Sequence, residues 1–241
     1  KWGSPVYNWS RMEEDGFAWW QARMLEHAKL FDVIRLDHFA AIVKYYVVPN
    51  KAEDGRSGKW SRGPGKKLTD AIEKVIGDTH IIVEDIAGKS PIPGVKKLMA
   101  RTGWPGIKIL MFAFGDDTAN EHLPHNYTDC NLVVYAGTHD NETIVGYFRD
   151  KTDYELAYLY EYLNIENKSQ VPNALIRELY HSTAELAIVQ MQDILELGNE
   201  ARMNYPSTVG HNWRWRMTSK PHRLDNEKIA WIRNIAVVYR R

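Results

Sequence analysis

Short apolar runs alternate along the chain with amphipathic segments, and this alternation constrains the fold more than any other feature. The runs at 31–36 (FDVIRL), 79–85 (THIIVED), 106–114 (GIKILMFAF) and 131–137 (NLVVYAG) have the length and composition of buried strands. Segments with apolar residues at helical spacing lie between them. Strands and helices that alternate in this way predict an α/β fold in which helices cover a parallel sheet.

The remaining segments are predicted as helices and loops. Polar stretches at 51–66 and 115–130 predict loops, and the apolar run at 185–192 fits either a fifth strand or a helix. Asp225 precedes the last amphipathic segment and has a side chain suited to a helix N-cap. The predicted helices span residues 13–30, 67–77, 94–102, 141–150, 153–163, 172–182 and 225–240.

Charge balance and cysteine count limit the partners and the compartment. The 241 residues include 31 basic and 31 acidic side chains, so there is no electrostatic case for binding nucleic acid or an anionic membrane. No apolar run approaches the roughly 20 residues of a membrane span. A single cysteine, Cys130, excludes an internal disulfide and favours a reducing compartment. We therefore expect a cytoplasmic protein with neither nucleic acid nor a membrane as partner.

Acidic residues follow three of the predicted strands. Asp37 comes after the first strand, Glu84 ends the second, and Asp140 follows the fourth. In parallel α/β folds the carboxyl ends of the strands carry the chemistry, so these acids could face one cleft. A single acid there would merely cap the next helix, but three in succession are harder to explain by capping. Three carboxylates in a cleft coordinate a divalent metal or catalyse glycoside chemistry.

The metal alternative has histidines to support it but lacks a recognised ligand spacing. His38, His139, His122 and His125 lie near the acids in sequence, yet no set matches a known zinc or calcium pattern. The nine Trp and thirteen Tyr instead suit a cleft for sugars, whose rings have apolar faces and hydroxyl edges, although most of these aromatic residues are expected in the core. Glycoside chemistry is the favoured interpretation.

The surroundings of two acids predict different roles. Arg35 lies two residues before Asp37 on the same strand, so both side chains project from one face, and the guanidinium would hold Asp37 ionised as a nucleophile requires. Glu84 follows Ile81, Ile82 and Val83, and apolar surroundings raise the pKa of a carboxyl group and favour a protonated acid.

Seven sequence blocks in one order resemble the 4-α-glucanotransferases of glycoside hydrolase family 77, in the α-amylase clan. The resemblance extends from Trp2 to about Met217. RLD or HDN alone would be weak, whereas the series is highly specific. The blocks are WGSPVYNW (2–9), RLDHF (35–39), VEDIAG (83–88), GIKILMFAF (106–114), LPHNY (123–127), YAGTHDNET (135–143) and EARMNYPSTVGHNWRWR (200–216).

This resemblance implies a role for each matching residue. Asp37 matches the catalytic nucleophile, Arg35 the arginine that orients it, and Glu84 the general acid/base. Asp140 matches the acid that binds the donor sugar and stabilises the transition state, and His139 the histidine of the same subsite. The resemblance also implies a (β/α)₈ barrel, α-1,4-glucans, maltooligosaccharides and glucose as substrates, and neither a metal nor an organic cofactor. Further positions that match the lining of the glucan cleft are Trp2, Phe112 and Asn212.

Five strand candidates are too few for an eight-stranded barrel. We therefore expect residues 1–241 to be the carboxyl-terminal part of the catalytic barrel, about its last five strands with their helices. A loop insertion is expected near 49–66 and a helical insertion near 150–183. Such a partial barrel would have open strand edges, so we expect this chain alone to fold poorly and to be inactive. An α-amylase-like hydrolase or an inactive glucan-binding fragment are the alternatives.

Overall fold

The computed structural model describes residues 3–86, 92–115, 117–218 and 225–241. The chain divides into two compact units, Lys1–Ile107 and Lys108–Arg241. In chain order the elements are α1 (Trp9–Glu14), α2 (Ala18–Ala28), β1 (Val33–Leu36), α3 (Ala40–Val43), β2 (Lys44–Val47), β3 (Lys59–Arg62), α4 (Lys66–Glu73), β4 (His80–Val83), α5 (Val95–Thr102), β5 (Gly106–Ile109), β6 (Leu132–Tyr135), α6 (Ile144–Phe148), α7 (Asp153–Leu163), α8 (Val171–His181), β7 (Leu186–Ile188), α9 (Met191–Ile194) and α10 (Asn226–Tyr239).

The first unit is built on a parallel pair of strands. β1 pairs with β4 in a register that places Val33 opposite His80 and Leu36 opposite Val83. β4 is buried over Ile81–Val83, which agrees with a continuous apolar run covered on both faces. The predicted strands at 31–36 and 79–85 are thus confirmed, and the acids Asp37 and Glu84 directly follow their carboxyl ends. The buried core of this unit includes Phe17, Met24, Phe39, Leu68, Ile72 and Val83.

The predicted helix at 13–30 is wrong near its start, whereas its larger part is confirmed as α2. α1 ends at Glu14, and α2 begins only at Ala18, where the Ala18 N–H donates to Asp15 Oδ1 at 3.1 Å. Gly16 and Phe17 between the helices have φ values of 68° and 62°. A left-handed backbone is unfavourable for a bulky residue, but it lets the Phe17 ring enter the core. Tertiary burial therefore overrides the helical periodicity here.

The predicted loop at 51–66 contains a strand. β3 pairs with β2 as an antiparallel hairpin, with Tyr46 opposite Trp60. Their rings meet edge to face at a centroid distance of 5.4 Å. The segment KWSR has no alternation of apolar and polar residues, because this hairpin has no fully buried face. It is held together by cross-strand pairs, which periodicity along one strand does not reveal.

The second unit contains β6 and β7, which pair in parallel within the three-stranded sheet of order β5–β6–β7. All four residues of β6 are buried. The segment at 185–192 forms a strand followed by the helix α9, and the predicted strand at 106–114 ends at Ile109, where a 3₁₀ turn begins. The predicted N-cap of α10 is confirmed, since the Asp225 side chain accepts from the Glu227 N–H. Among the helices of the described ranges, none has both the length and the apolarity that crossing a membrane requires.

Candidate active site

The first group of predicted site residues lies at the carboxyl ends of β1 and β4. Arg35 Nη2 donates to Asp37 Oδ1 at 2.7 Å, so these two side chains share one side of the strand as their spacing predicts. The Asp37 side chain is largely exposed, whereas Arg35 is mostly buried. A carboxylate that is fixed by a guanidinium and remains open to solvent is suited to attack a ligand.

Backbone amides hold the Glu84 carboxyl group at both oxygens. The His38 N–H donates to Oε2 at 2.9 Å, and the Ile86 N–H donates to Oε1 at 2.8 Å. The backbone of Glu84 itself is fixed, because its N–H donates to Leu36 O and its carbonyl accepts from the Phe39 N–H, both at 2.9 Å. His38 has a φ of 47°, so the chain turns sharply after Asp37. The backbone N–H of His38 points at the Glu84 carboxyl group in this turn.

The electrostatic surroundings of Glu84 agree with the sequence prediction. Burial raises the pKa of the Glu84 carboxyl group, and the negative charge of Asp37 raises it further. The hydrogen bonds from Ile86 and His38 lower the pKa, but they do not outweigh burial. A carboxyl group in these surroundings retains its proton to higher pH, as a general acid must.

The second group surrounds Asp140 in the other unit. Asn204 Nδ2 donates to Asp140 Oδ1 at 2.6 Å, and His139 Nε2 lies 3.4 Å from Oδ2. Arg202 Nη2 donates to the Asp140 carbonyl at 2.7 Å, and its guanidinium lies over the Tyr205 ring at 4.5 Å. Asp140 is therefore held at its backbone and at its carboxylate by one short segment of chain.

Arg202 and Asn204 are residues that the sequence analysis missed. They lie in the block at 200–216, which carried the resemblance but received only one residue assignment, Asn212. Two polar side chains separated by one residue in an otherwise irregular segment were the available signal. Because 64 residues separate Asn204 from Asp140, the hydrogen bond itself had no local signature.

The loop that carries His139 and Asp140 is fixed at both ends. Asn141 Oδ1 accepts from the Thr138 N–H at 2.7 Å, and the Thr143 side chain caps α6. The Ile144 N–H donates to Asp193 Oδ1 at 2.7 Å. Asp193 is fully buried, and this burial raises the pKa of its carboxyl group to about 6. A buried carboxyl group thus joins the start of α6 to α9.

The other predicted site residues have the following places. Phe112 is partly buried, with its ring edge to face against His122 at a centroid distance of 6.0 Å. Asn212 Oδ1 accepts from the Tyr205 N–H at 2.9 Å and its Nδ2 donates to Thr208 O at 3.1 Å, so this amide closes the loop 205–212. Trp2 lies outside the described residues.

Two of the histidines considered as metal ligands, His122 and His125, have other contacts. His122 is neutral near pH 7, because burial lowers its pKa to about 4, and its Nδ1 accepts from the Ile109 N–H at 3.1 Å. His125 Nδ1 lies 3.2 Å from Tyr162 Oη. Within the described ranges, His, Cys, Asp and Glu side chains form no group of three or more that could hold a metal ion.

Parallel strands followed by acidic residues define an α/β fold with its candidate site at the carboxyl ends of the strands. Comparison with known proteins identifies the glycosidase type and the family. Residues 1–221 match the family model of glycoside hydrolase 77, described as 4-alpha-glucanotransferase. The chain belongs to this family.

Curated relatives are similar over most of this chain but are about twice as long. This chain is 41% identical over 218 residues to the 4-alpha-glucanotransferase of Streptococcus pneumoniae, and the match covers 90% of this chain and 43% of that protein. For the Thermus thermophilus 4-alpha-glucanotransferase the identity is 39% over 242 residues, covering 98% and 48%. The chain thus spans less than half the length of these relatives.

Solved structures agree with the family assignment. Amylomaltase from Streptococcus agalactiae in complex with acarbose matches the whole chain and 48% of that protein, with a TM-score of 0.90 and 36% identity. Amylomaltase from Corynebacterium glutamicum, at 17% identity and a TM-score of 0.70, matches 87% of this chain and 35% of its own length. The latter likeness concerns the fold alone.

Proposed function

We propose that the protein carrying this chain transfers segments of α-1,4-glucan from a donor to the 4-hydroxyl of an acceptor glucan or of glucose. The observation that carries this proposal is the pair of acids after β1 and β4, in which Arg35 contacts Asp37 and two backbone amides hold a Glu84 of raised pKa. Membership of glycoside hydrolase family 77 supports the substrate class.

The proposed mechanism is a retaining double displacement. Glu84 protonates the departing glycosidic oxygen while Asp37 attacks the anomeric carbon, which forms a covalent glucosyl-enzyme. Glu84 then acts as a base and removes the proton of the acceptor 4-hydroxyl, which attacks the same carbon and releases Asp37. Retention requires the carboxyl groups of Asp37 and Glu84 to lie about 5–5.5 Å apart. His139 and Asp140 bind the hydroxyl groups of the donor sugar in this scheme.

The surroundings of Asp37 and Glu84 support different roles for the two acids in this mechanism. The guanidinium of Arg35 donates a hydrogen bond to the Asp37 carboxylate, and burial together with the negative charge of Asp37 raises the pKa of the Glu84 carboxyl group. The first step needs this combination, because one carboxylate must attack while the other group donates a proton. The covalent intermediate removes the charge of Asp37, which helps Glu84 to become the base in the second step.

We further propose that β1, β4, β5, β6 and β7 are five strands of a (β/α)₈ barrel, with residues 1–241 as its carboxyl-terminal part. The similarity to about half of a solved amylomaltase supports this arrangement. The insertion near 49–66 then includes β3, and the insertion near 150–183 consists of α7 and α8. α-1,4-Glucans, maltooligosaccharides and glucose are the proposed partners, and the cytoplasm is the proposed compartment.

Incubation of the protein carrying this sequence with maltotriose tests the proposal. Transfer yields glucose together with oligomers longer than maltotriose, whereas a hydrolase yields only shorter products. The D37N variant should lose turnover by several orders of magnitude and still bind maltoheptaose, because it lacks the nucleophile but keeps the shape of the site. D54N, which changes an exposed acid on the hairpin loop, is the matched control and should retain activity. Unchanged turnover in D37N would contradict the nucleophile assignment.

A further inference from the structure

We infer that Trp213 is a glucan-contacting residue whose indole ring receives the apolar face of a glucose unit beside His139 and Asp140, an inference that rests on the proposed function. Trp213 is 52% exposed, although tryptophan side chains are highly buried on average. Its ring packs against the imidazole of His139 at a centroid distance of 5.0 Å and an interplanar angle of 37°.

The backbone of Trp213 is strained. Its φ is 62°, in the left-handed region that favours glycine and is unfavourable for other residues. A bulky, half-exposed side chain gains little from the core in return for this cost. Strained positions of this kind cluster at ligand sites, where the conformation aims a side chain.

A backbone hydrogen bond connects Trp213, in its strained conformation, to the segment that holds Asp140. The Trp213 N–H donates to the Met203 carbonyl at 2.6 Å. Met203 lies between Arg202, which donates to the Asp140 carbonyl, and Asn204, which donates to the Asp140 carboxylate. The indole, the imidazole and the carboxylate therefore belong to one connected structure.

The chemistry of these three groups matches a pyranose ring. An indole face stacks on the C–H groups of a glucose unit, while a carboxylate and an imidazole accept from or donate to its hydroxyl groups. His139 covers part of the indole, so the exposed half is the part that a sugar can reach. A neutral α-1,4-glucan is the ligand class, because the contact requires apolar ring faces and no charge.

Substitutions at Trp213 separate binding from folding, with Trp60 as a matched control that is also 52% exposed but lies in a strand. Isothermal titration with maltoheptaose should show affinity about tenfold weaker for W213A and W213G, the size of a lost aromatic contact, and unchanged for W60A. W213F keeps an aromatic face and should bind with intermediate affinity; it carries the comparison if the alanine variant does not fold.

Thermal unfolding of the same variants tests the strain. W213G should melt about 2–4 °C above W213A, because glycine relieves the left-handed backbone, whereas W60G should melt below W60A. A purely structural Trp213 would change Tm without changing affinity. If D140N abolishes binding and the Trp213 variants bind normally, the inference is wrong and the proposed function stands. Absence of maltoheptaose binding by the folded wild-type protein that carries this sequence would overturn both.

Discussion

Asp193 should make stability fall as the pH rises from about 4 to about 6. The pKa of this fully buried carboxyl group is raised from 3.8 to about 6, chiefly by burial, and the hydrogen bond from the Ile144 N–H only partly opposes the shift. In this pH window the unfolded chain loses the proton while the folded protein keeps it. Ionisation therefore favours unfolding between the two pKa values and has no further effect above the higher one.

The magnitude follows from the size of the shift. Two pKa units correspond to about 3 kcal/mol, so the stabilisation that the protonated Asp193 provides below pH 4 is reduced by that amount at pH 7. Other groups titrate in the same range, and a comparison with a variant that lacks only this carboxyl group removes their contribution. Asn at position 193 can still accept from the Ile144 N–H at the position of Oδ1.

Urea unfolding of the wild type and of D193N at pH 4, 5, 6 and 7 measures this difference. The stability of D193N relative to the wild type should rise by about 2.5 kcal/mol from pH 4 to pH 7, whatever its absolute value, because at pH 4 the unfolded chain has already begun to lose the proton. D54N is the control, because Arg56 lowers the pKa of that exposed carboxyl group and its relative stability should change little and in the opposite direction. Parallel pH profiles for the wild type and D193N would refute the reasoning.

Three further variants test other parts of the structure. H38G should raise stability by about 1 kcal/mol in urea unfolding, since it relieves a φ of 47° and keeps the amide that donates to Glu84; a loss of stability would contradict this. R202A should lower stability by about 1.5–3 kcal/mol and weaken maltoheptaose binding, because it removes the donor to the Asp140 carbonyl. Urea unfolding and calorimetry measure the two effects, and R202K is the conservative control. R241A should lower stability by about 1–3 kcal/mol in urea unfolding and speed amide exchange in α10. The reason is that its guanidinium donates to the carbonyls of Tyr180, Ser182 and Ala184, at the end of α8 and just after it. Unchanged exchange would contradict this.

Local patterns in the sequence were sufficient for the parts of the fold that depend on nearest neighbours. The buried runs of β1, β4 and β6 were predicted from their composition, and the start of α10 from the Asp225 cap. The placement of Asp37 and Glu84 at the ends of two strands followed as well. These features depend on whether a few consecutive residues are buried or capped, and that information lies in the residues themselves.

The tertiary structure alone decided where the chain departs from its local pattern and which groups meet across it. Phe17 breaks a predicted helix because the core accepts its ring, and Trp60 lies in a strand because Tyr46 is opposite. Asn204 reaches Asp140 across 64 residues, and Asp193 reaches Ile144 across 49. Such contacts depend on strand register and loop conformation, which are set by the packing of distant segments and have no period along the chain.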